Sequence, residues 1–193
     1  MPSNVYTIPN IISFLRILLA PGLLLVGIFD EPHWFLWLYA GSLLTDFLDG
    51  FLARLLDQQT KLGSQLDTVG DVMTGLTVIL GGSLIWPEIF RGEAYSFLAI
   101  IIMLTCSGIV TLLNYRHLPS YHTWTAKLST VILGVGAWFM FAGVTPWVFR
   151  TGVVVLVISA LEEIAITLIL PEWRSNIPHV FRACELRKEA STD

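Results

Sequence analysis

Long apolar segments alternate with short polar breaks along most of the chain. A helix rises about 1.5 Å per residue, so about 20 apolar residues cross the roughly 30 Å hydrocarbon layer of a bilayer. Six segments have this length: 10–29, 33–55, 67–86, 95–114, 126–146 and 149–170. The pattern predicts an all-α polytopic membrane protein, a six-transmembrane-helix bundle. We expect a single domain, 1–193, that ends in a partly helical cytoplasmic tail at about 172–193.

The composition agrees with this prediction. Of the 193 residues, 54% are hydrophobic and only 13% are charged, whereas a soluble domain has roughly 25% charged residues. The two cysteines lie in very different segments and show no zinc-ligand spacing, so we expect neither a disulfide nor structural zinc. Because no basic residue precedes the first apolar segment, it is interpreted as a retained helix rather than a secretory signal.

The basic residues predict the orientation. With both termini on one side of the membrane, that side receives 9 of the 11 Lys and Arg residues, and the other side receives only Arg91 and Arg150. Loops rich in Lys and Arg stay in the cytoplasm. Both termini are therefore predicted to be cytoplasmic.

Four aspartates, here called the aspartate cluster, interrupt the apolar pattern. Asp46 and Asp49 lie three residues apart in the second segment, and Asp67 and Asp71 lie four apart at the start of the third. Each spacing places a pair on one helix face. Asp46 lies about 18 Å from the outer end of its helix, and the second pair lies within about 8 Å of the inner end of the next, so the pairs reach similar depths. Carboxylates at such depth are costly, which predicts a functional site in a polar cavity facing the cytoplasm.

Carboxylate ligands without His or Cys favour Mg²⁺ or Mn²⁺, and four carboxylates suit two ions that clamp a diphosphate. Gly50 and Ala53 remove side-chain bulk where a ligand or a neighbouring helix comes close, and Arg54 adds a guanidinium suited to phosphate. The alternative is structural: the carboxylates satisfy one another and nearby arginines inside a helix bundle.

The aspartate cluster belongs to a longer motif, Asp46-x2-Asp49-Gly50-x2-Ala53-Arg54-x8-Gly63-x3-Asp67-x3-Asp71. This motif resembles the signature of the CDP-alcohol phosphatidyltransferases, with every specified residue and spacing present. More loosely, the opening from Pro9-Asn10 to Arg16 is similar to the start of phosphatidylglycerophosphate synthases.

The resemblance implies that the four aspartates bind two divalent ions and that Asp71 is also the catalytic base. It implies that Gly50, Ala53, Arg54 and Gly63 bind the CDP-lipid. The implied reaction moves a phosphatidyl group from CDP-diacylglycerol to an alcohol, with release of CMP, in phospholipid biosynthesis. It further implies that the protein forms a homodimer in the bacterial inner membrane and contacts membrane lipids there. No nucleic-acid partner is expected.

Glycerol 3-phosphate is the acceptor we expect, and an anionic acceptor needs cations beside the metal ions. Arg116 and Lys127 are the candidates for acceptor binding, although both also fit ordinary positively charged flanks. Phosphatidylglycerophosphate and cardiolipin synthases typically carry an Arg–acid pair in the fourth span, whereas residues 103–114 here carry no charge. Phosphatidylglycerol, inositol phosphate, serine and choline therefore stay open as acceptors.

Two further acids, Glu162 and Glu163, lie in the sixth apolar segment. We expect them to pair with Lys127 or with the tail, and the alternative is contact with a cationic acceptor such as choline.

A different class of protein, a small ion-coupled transporter, is the rival hypothesis. Such transporters usually show repeated halves and sites near the bilayer midplane. Because this sequence shows neither feature, the enzyme hypothesis is favoured.

Overall fold

The protein is all-helical in the part of the chain that the structure, a computed structural model, describes: residues 7–56, 58, 60–115, 123–170, 179–180, 182–183, 185 and 187. This part holds seven helices and no strand. The helices are α1 (Ile8–Ile28), α2 (Pro32–Leu55), α3 (Lys61–Ile85), α4 (Pro87–Gly92), α5 (Ala94–Tyr115), α6 (Trp124–Phe141) and α7 (Trp147–Ile169). The all-α prediction is confirmed. Five described tail residues, from Val180 to Arg187, are also helical.

Five of these helices, α1, α3, α5, α6 and α7, are long and apolar enough to cross a membrane. The sequence predicted six. The remaining candidate, α2, has 24 residues and is long enough, but Asp46, Asp49 and His33 lower its mean hydropathy. The protein is a polytopic integral membrane protein.

Two helix boundaries differ from the predicted ones by five residues or more. Helix α3 begins at Lys61 instead of residue 67, because the side chain of Thr60 accepts a hydrogen bond from the Gly63 N–H at 2.9 Å and caps an earlier start. Helix α6 ends at Phe141 instead of residue 146, just before Gly143 turns the chain with a φ of 70°. The short helix α4 occupies the break between the third and fourth predicted segments.

The first compact unit, Met1–Gly92, is organised around α1. Helix α1 packs along both α2 and α3, whereas α2 and α3 touch each other much less. Glycines allow the close approach of α1 and α3: a Cβ at Gly27 would lie 2.5 Å from the Cα of Gly81. The core includes Leu23 of α1 and Phe35 of α2, both fully buried. Helix α1 is therefore the common partner of the two helices that carry the aspartates.

The second compact unit, Glu93–Asp193, is organised around α7, which packs on both α5 and α6. A Cβ at Gly136 of α6 would lie 2.5 Å from the backbone nitrogen of Phe149, so this glycine is required for the α6–α7 contact. Near the start of α7, Arg150 donates to Glu93 at 2.6 Å. Near its end, Ile166 and Leu170 pack with Ala183 of the tail.

Candidate metal centre

One guanidinium contacts all four members of the aspartate cluster. The Arg16 side chain, only 1% exposed, extends from α1 towards both α2 and α3. Its Nη1 donates to Asp46 and lies 3.8 Å from Asp49 Oδ2. Its Nη2 lies 2.6 Å from Asp67 Oδ1 and 3.4 Å from Asp71 Oδ1. The two pairs, separated along the chain, thus meet at a single cation.

The four carboxylates differ in exposure. Asp49 is the buried member, with 5% of its side chain exposed, and the Ser13 hydroxyl donates to its Oδ2 at 2.7 Å. The side chains of Asp46, Asp67 and Asp71 are 42%, 47% and 53% exposed. The cluster is therefore closed at Asp49 and open at Asp71, where a ligand can reach it.

Local sequence on α3 makes this arrangement possible. A Cβ at Gly70 would lie 2.7 Å from Arg16 Nε, so only glycine lets the α3 backbone run this close to the guanidinium. The Asp67 backbone carbonyl accepts from Arg16 Nη2 at 2.9 Å. The Thr60 hydroxyl donates to Asn10 at 3.2 Å and so links the start of α3 to the first turn of α1.

Three of the four aspartates fit a metal ion. One carboxylate oxygen from each of Asp46, Asp49 and Asp67 lies within 4.8 Å of the other two. Because Mg²⁺ and Ca²⁺ bind oxygen at about 2.0–2.6 Å, oxygens around one such ion lie up to roughly 4–5 Å apart. The three residues can therefore hold a hard divalent cation, and Asp71 lies outside this group.

The predicted lipid-binding residues have different surroundings. A Cβ at Gly50 would meet no atom within 4 Å, so helix packing does not require this glycine. A Cβ at Gly63 would lie 2.5 Å from Asn10 Oδ1, so this glycine has a packing role. Ala53 is half-buried on α2, and the side chain of Arg54 lies outside the described residues.

The predicted acceptor residues are not brought together by what the structure describes. Arg116 lies outside the described residues. Lys127 is exposed in the first turn of α6, with its Nζ 5.4 Å from the centroid of the Trp124 ring. Its role in acceptor binding stays a prediction.

The acids of α7 have local hydrogen-bond donors. Glu162 accepts from the Thr125 hydroxyl and, at 3.0 Å, from the backbone N–H of Val180 in the tail. Glu163 accepts from the Ser107 hydroxyl of α5 at 2.7 Å. The expectation that this pair contacts the tail is confirmed for Glu162.

Sequence reasoning missed the part that α1 plays in the site. Asn10, Ser13 and Arg16 recur every three residues, a spacing that places them on one helix face, and all three are buried. An arginine inside an apolar segment needs an acidic partner. This polar stripe was the signal that α1 faces the aspartates.

Comparison with known proteins agrees with the site. The sequence model of the CDP-alcohol phosphatidyltransferase family matches residues 6–170. A CDP-diacylglycerol–glycerol-3-phosphate 3-phosphatidyltransferase of Cereibacter sphaeroides is 39% identical over 85 residues, which are 40% of this chain and 38% of that protein. The CMP-forming cardiolipin synthase of Homo sapiens is 37% identical over 122 residues, 62% of this chain and 39% of that protein.

The aligned segment spans about two fifths of the length of each of these two relatives. A longer match, to a CDP-diacylglycerol–glycerol-3-phosphate 3-phosphatidyltransferase of Aquifex aeolicus, is 27% identical over 86% of this chain and 91% of that protein. No solved structure matches significantly. Because the family's sequence model covers most of the chain, including the whole aspartate cluster, the chain belongs to the CDP-alcohol phosphatidyltransferase family.

Proposed function

We propose that the protein transfers the phosphatidyl group of CDP-diacylglycerol to an alcohol and releases CMP. The observation that carries the proposal is the convergence of the four family aspartates, from two helices, around one position next to α1. A membrane-embedded site suits this donor, because its acyl chains stay in lipid while its nucleotide reaches the polar cluster.

Asp46, Asp49 and Asp67 would hold the first divalent ion, Mg²⁺ or Mn²⁺, and Asp71 would complete the set for a second. When bound, such ions offset the charge of the diphosphate and stabilise the leaving oxygen. The Ser13 hydroxyl fixes the orientation of Asp49 through its 2.7 Å hydrogen bond, so one ligand is held in place before any ion arrives.

Asp71 is the proposed base. It is the most exposed of the four acids and lies outside the group of three, so it is accessible to an incoming alcohol. The hydroxyl oxygen forms a bond to the β-phosphorus, the bond from that phosphorus to the bridging oxygen breaks, CMP leaves, and the hydroxyl proton passes to Asp71.

We propose that the CDP-lipid binds beside Gly50, Ala53, Arg54 and Gly63. The open space at Gly50 supports this assignment, since no described neighbour explains a missing side chain there. The packing role of Gly63 against Asn10 makes its contribution to lipid binding indirect.

Glycerol 3-phosphate is the proposed acceptor. Both the Cereibacter and the Aquifex relatives carry the name of the glycerol-3-phosphate enzyme. Arg116 and Lys127 are proposed to bind its phosphate. Phosphatidylglycerol is the second candidate, because the human relative, which aligns with 62% of this chain, is a cardiolipin synthase.

We propose that the protein resides in a bacterial inner membrane as a homodimer, with both termini in the cytoplasm. The distribution of basic residues supports the orientation. Labelling of a cysteine introduced at the C-terminus, in sealed inverted and right-side-out vesicles, tests it.

The decisive experiment incubates purified protein with CDP-diacylglycerol in the presence of Mn²⁺ or Mg²⁺ and measures the release of CMP. The acceptor panel contains glycerol 3-phosphate, phosphatidylglycerol, inositol phosphate, serine and choline. We expect Asp67→Asn and Asp71→Asn each to lower the rate by about 10²-fold or more.

The matched control is Asp30→Asn, the same substitution in the turn between α1 and α2, where Asn tolerates the positive φ of 55°. It should leave the rate unchanged. A folded wild type that releases no CMP with any acceptor refutes the proposal. Ion flux through the protein in sealed vesicles would then favour the transporter hypothesis.

A further inference from the structure

Arg16 bonds to two of the three aspartates whose carboxylates could hold a cation. We propose that its guanidinium is a resident counter-cation that competes with divalent ions, so that metal binding requires it to withdraw from Asp46 and Asp67. The inference rests on the proposed function for the use of divalent ions, but it concerns a residue of α1 that lies outside the family motif.

The contacts of the guanidinium coincide with the metal ligands. Nη1 bonds to Asp46 and Nη2 bonds to Asp67, and these two acids are among the three whose oxygens converge. An ion bonded to the same oxygens at about 2.0–2.2 Å would lie next to the guanidinium nitrogens. Two cations at that separation repel each other, so full occupancy by both is disfavoured.

The charges of the cluster limit the number of ions that it can hold beside Arg16. Four ionised carboxylates and one guanidinium leave a formal charge of −3, which attracts a divalent ion. Two divalent ions with Arg16 still in place would give +1. The second ion therefore binds well only if the guanidinium withdraws or an anion such as a diphosphate arrives.

The guanidinium is held mainly by carboxylates that would also bind the metal ion, those of Asp46 and Asp67. Its Nε has no hydrogen-bond partner among the described residues, although it is buried. Its remaining hydrogen bonds go to the aspartates and to the Asp67 backbone carbonyl. When the guanidinium withdraws, the aspartates therefore lose one cation and gain the divalent ions in its place. The only other hydrogen-bond partner that it leaves among the described residues is the Asp67 backbone carbonyl.

The experiment measures Mn²⁺ affinity of the purified full chain without nucleotide, by the paramagnetic resonance signal of free Mn²⁺. We expect Arg16→Gln to bind Mn²⁺ at least about fivefold more tightly than the wild type, a typical coupling between competing ligands. Arg16→Lys should fall between the two, because one ammonium cannot bridge Asp46 and Asp67 as the planar guanidinium does.

Arg150→Gln is the matched control, since it removes an arginine from an ion pair with Glu93, outside the cluster. It should bind Mn²⁺ as the wild type does. A second readout is thermal unfolding. Without metal, Arg16→Gln should melt below the wild type, because its carboxylates lack a cation. Mn²⁺ should raise the melting temperature of Arg16→Gln by more than it raises that of the wild type.

Equal or weaker Mn²⁺ binding by folded Arg16→Gln overturns the inference and shows that Arg16 has only a structural role. If this variant does not fold, equal or weaker binding by Arg16→Lys overturns it as well. Asp67→Asn separates the two proposals. If it binds Mn²⁺ as the wild type does, the proposed metal site is wrong; if it loses binding while Arg16→Gln is unchanged, only the competition is wrong.

Discussion

Gly70 offers a direct test of how closely α3 approaches Arg16. A Cβ at this position would lie 2.7 Å from Nε and 3.1 Å from Nη2 of Arg16. Ordinary contact begins at 3.4 Å, so Gly70→Ala requires the guanidinium or the helix to move by about 0.7 Å. Because the guanidinium is also held by Asp67 at 2.6 Å, such a movement strains the ion pair.

The magnitude follows from two opposing terms. Replacing glycine by alanine inside a helix stabilises it by about 0.5–1 kcal/mol, whereas overpacking a filled site costs about 1–3 kcal/mol. Gly75→Ala on the same helix is the matched control, because its Cβ would meet no atom within 4 Å. Since the helix term is common to both, the difference in free energy of unfolding between the two variants isolates the clash, about 1–3 kcal/mol.

The assay is thermal unfolding in detergent, followed by tryptophan fluorescence. For a chain of this size, 1 kcal/mol corresponds to about 2–4 °C, so Gly70→Ala should melt several degrees below Gly75→Ala. In an Arg16→Gln background the difference should shrink, because the shorter side chain no longer fills the space beside Gly70. Equal melting temperatures of the two variants would refute the close contact between α3 and the guanidinium.

Three more predictions concern other parts of the molecule. Gly50→Ala should leave the melting temperature unchanged or higher but raise KM for CDP-diacylglycerol. Gly41→Ala on the same helix, equally open, should affect the melting temperature in the same way but leave KM unchanged. Burial raises the pKa of Glu93, but hydrogen bonds from its partners outweigh this and set the pKa below its usual range. The stability it contributes is therefore present at neutral pH and lost as the pH falls below that range, a dependence that Glu93→Gln should remove from acid unfolding curves. Glu162→Ala leaves the Val180 N–H without this acceptor, at a cost of about 1 kcal/mol, and should speed limited trypsin cleavage of the tail roughly fivefold. Unchanged cleavage would show that the tail docks without that hydrogen bond.

Helix positions could be predicted from the sequence because bilayer thickness fixes how long an apolar segment must be. Errors arose where a local contact decided the boundary. Thr60 extends α3 towards the chain start through its cap, and Gly143 ends the fifth predicted segment early. Such caps depend on one side chain and one backbone angle, which hydropathy does not register.

The spacing of the aspartates predicted that each pair shares a helix face, and this is a local property of a helix. Their counter-ion could not be assigned in the same way. Arg16 lies 30 residues before Asp46 and 51 before Asp67, so only helix packing brings them together. Glycines carry a similar ambiguity. A Cβ at Gly63 would contact Asn10 and a Cβ at Gly50 would meet open space, yet the motif specifies glycine at both positions.

The position of Arg16 in the first helix has a consequence for biosynthesis. Chain synthesis delivers α1 before α2 and α3, so a cation is already present when the four aspartates reach the bilayer. Inserting an unpaired aspartate at the centre of a helix costs about 2.5–3.5 kcal/mol on translocon scales. Since α1 packs against both later helices, it can receive each acidic pair as its helix leaves the translocon. The residue that occupies the finished site thus also lowers the barrier to assembling it.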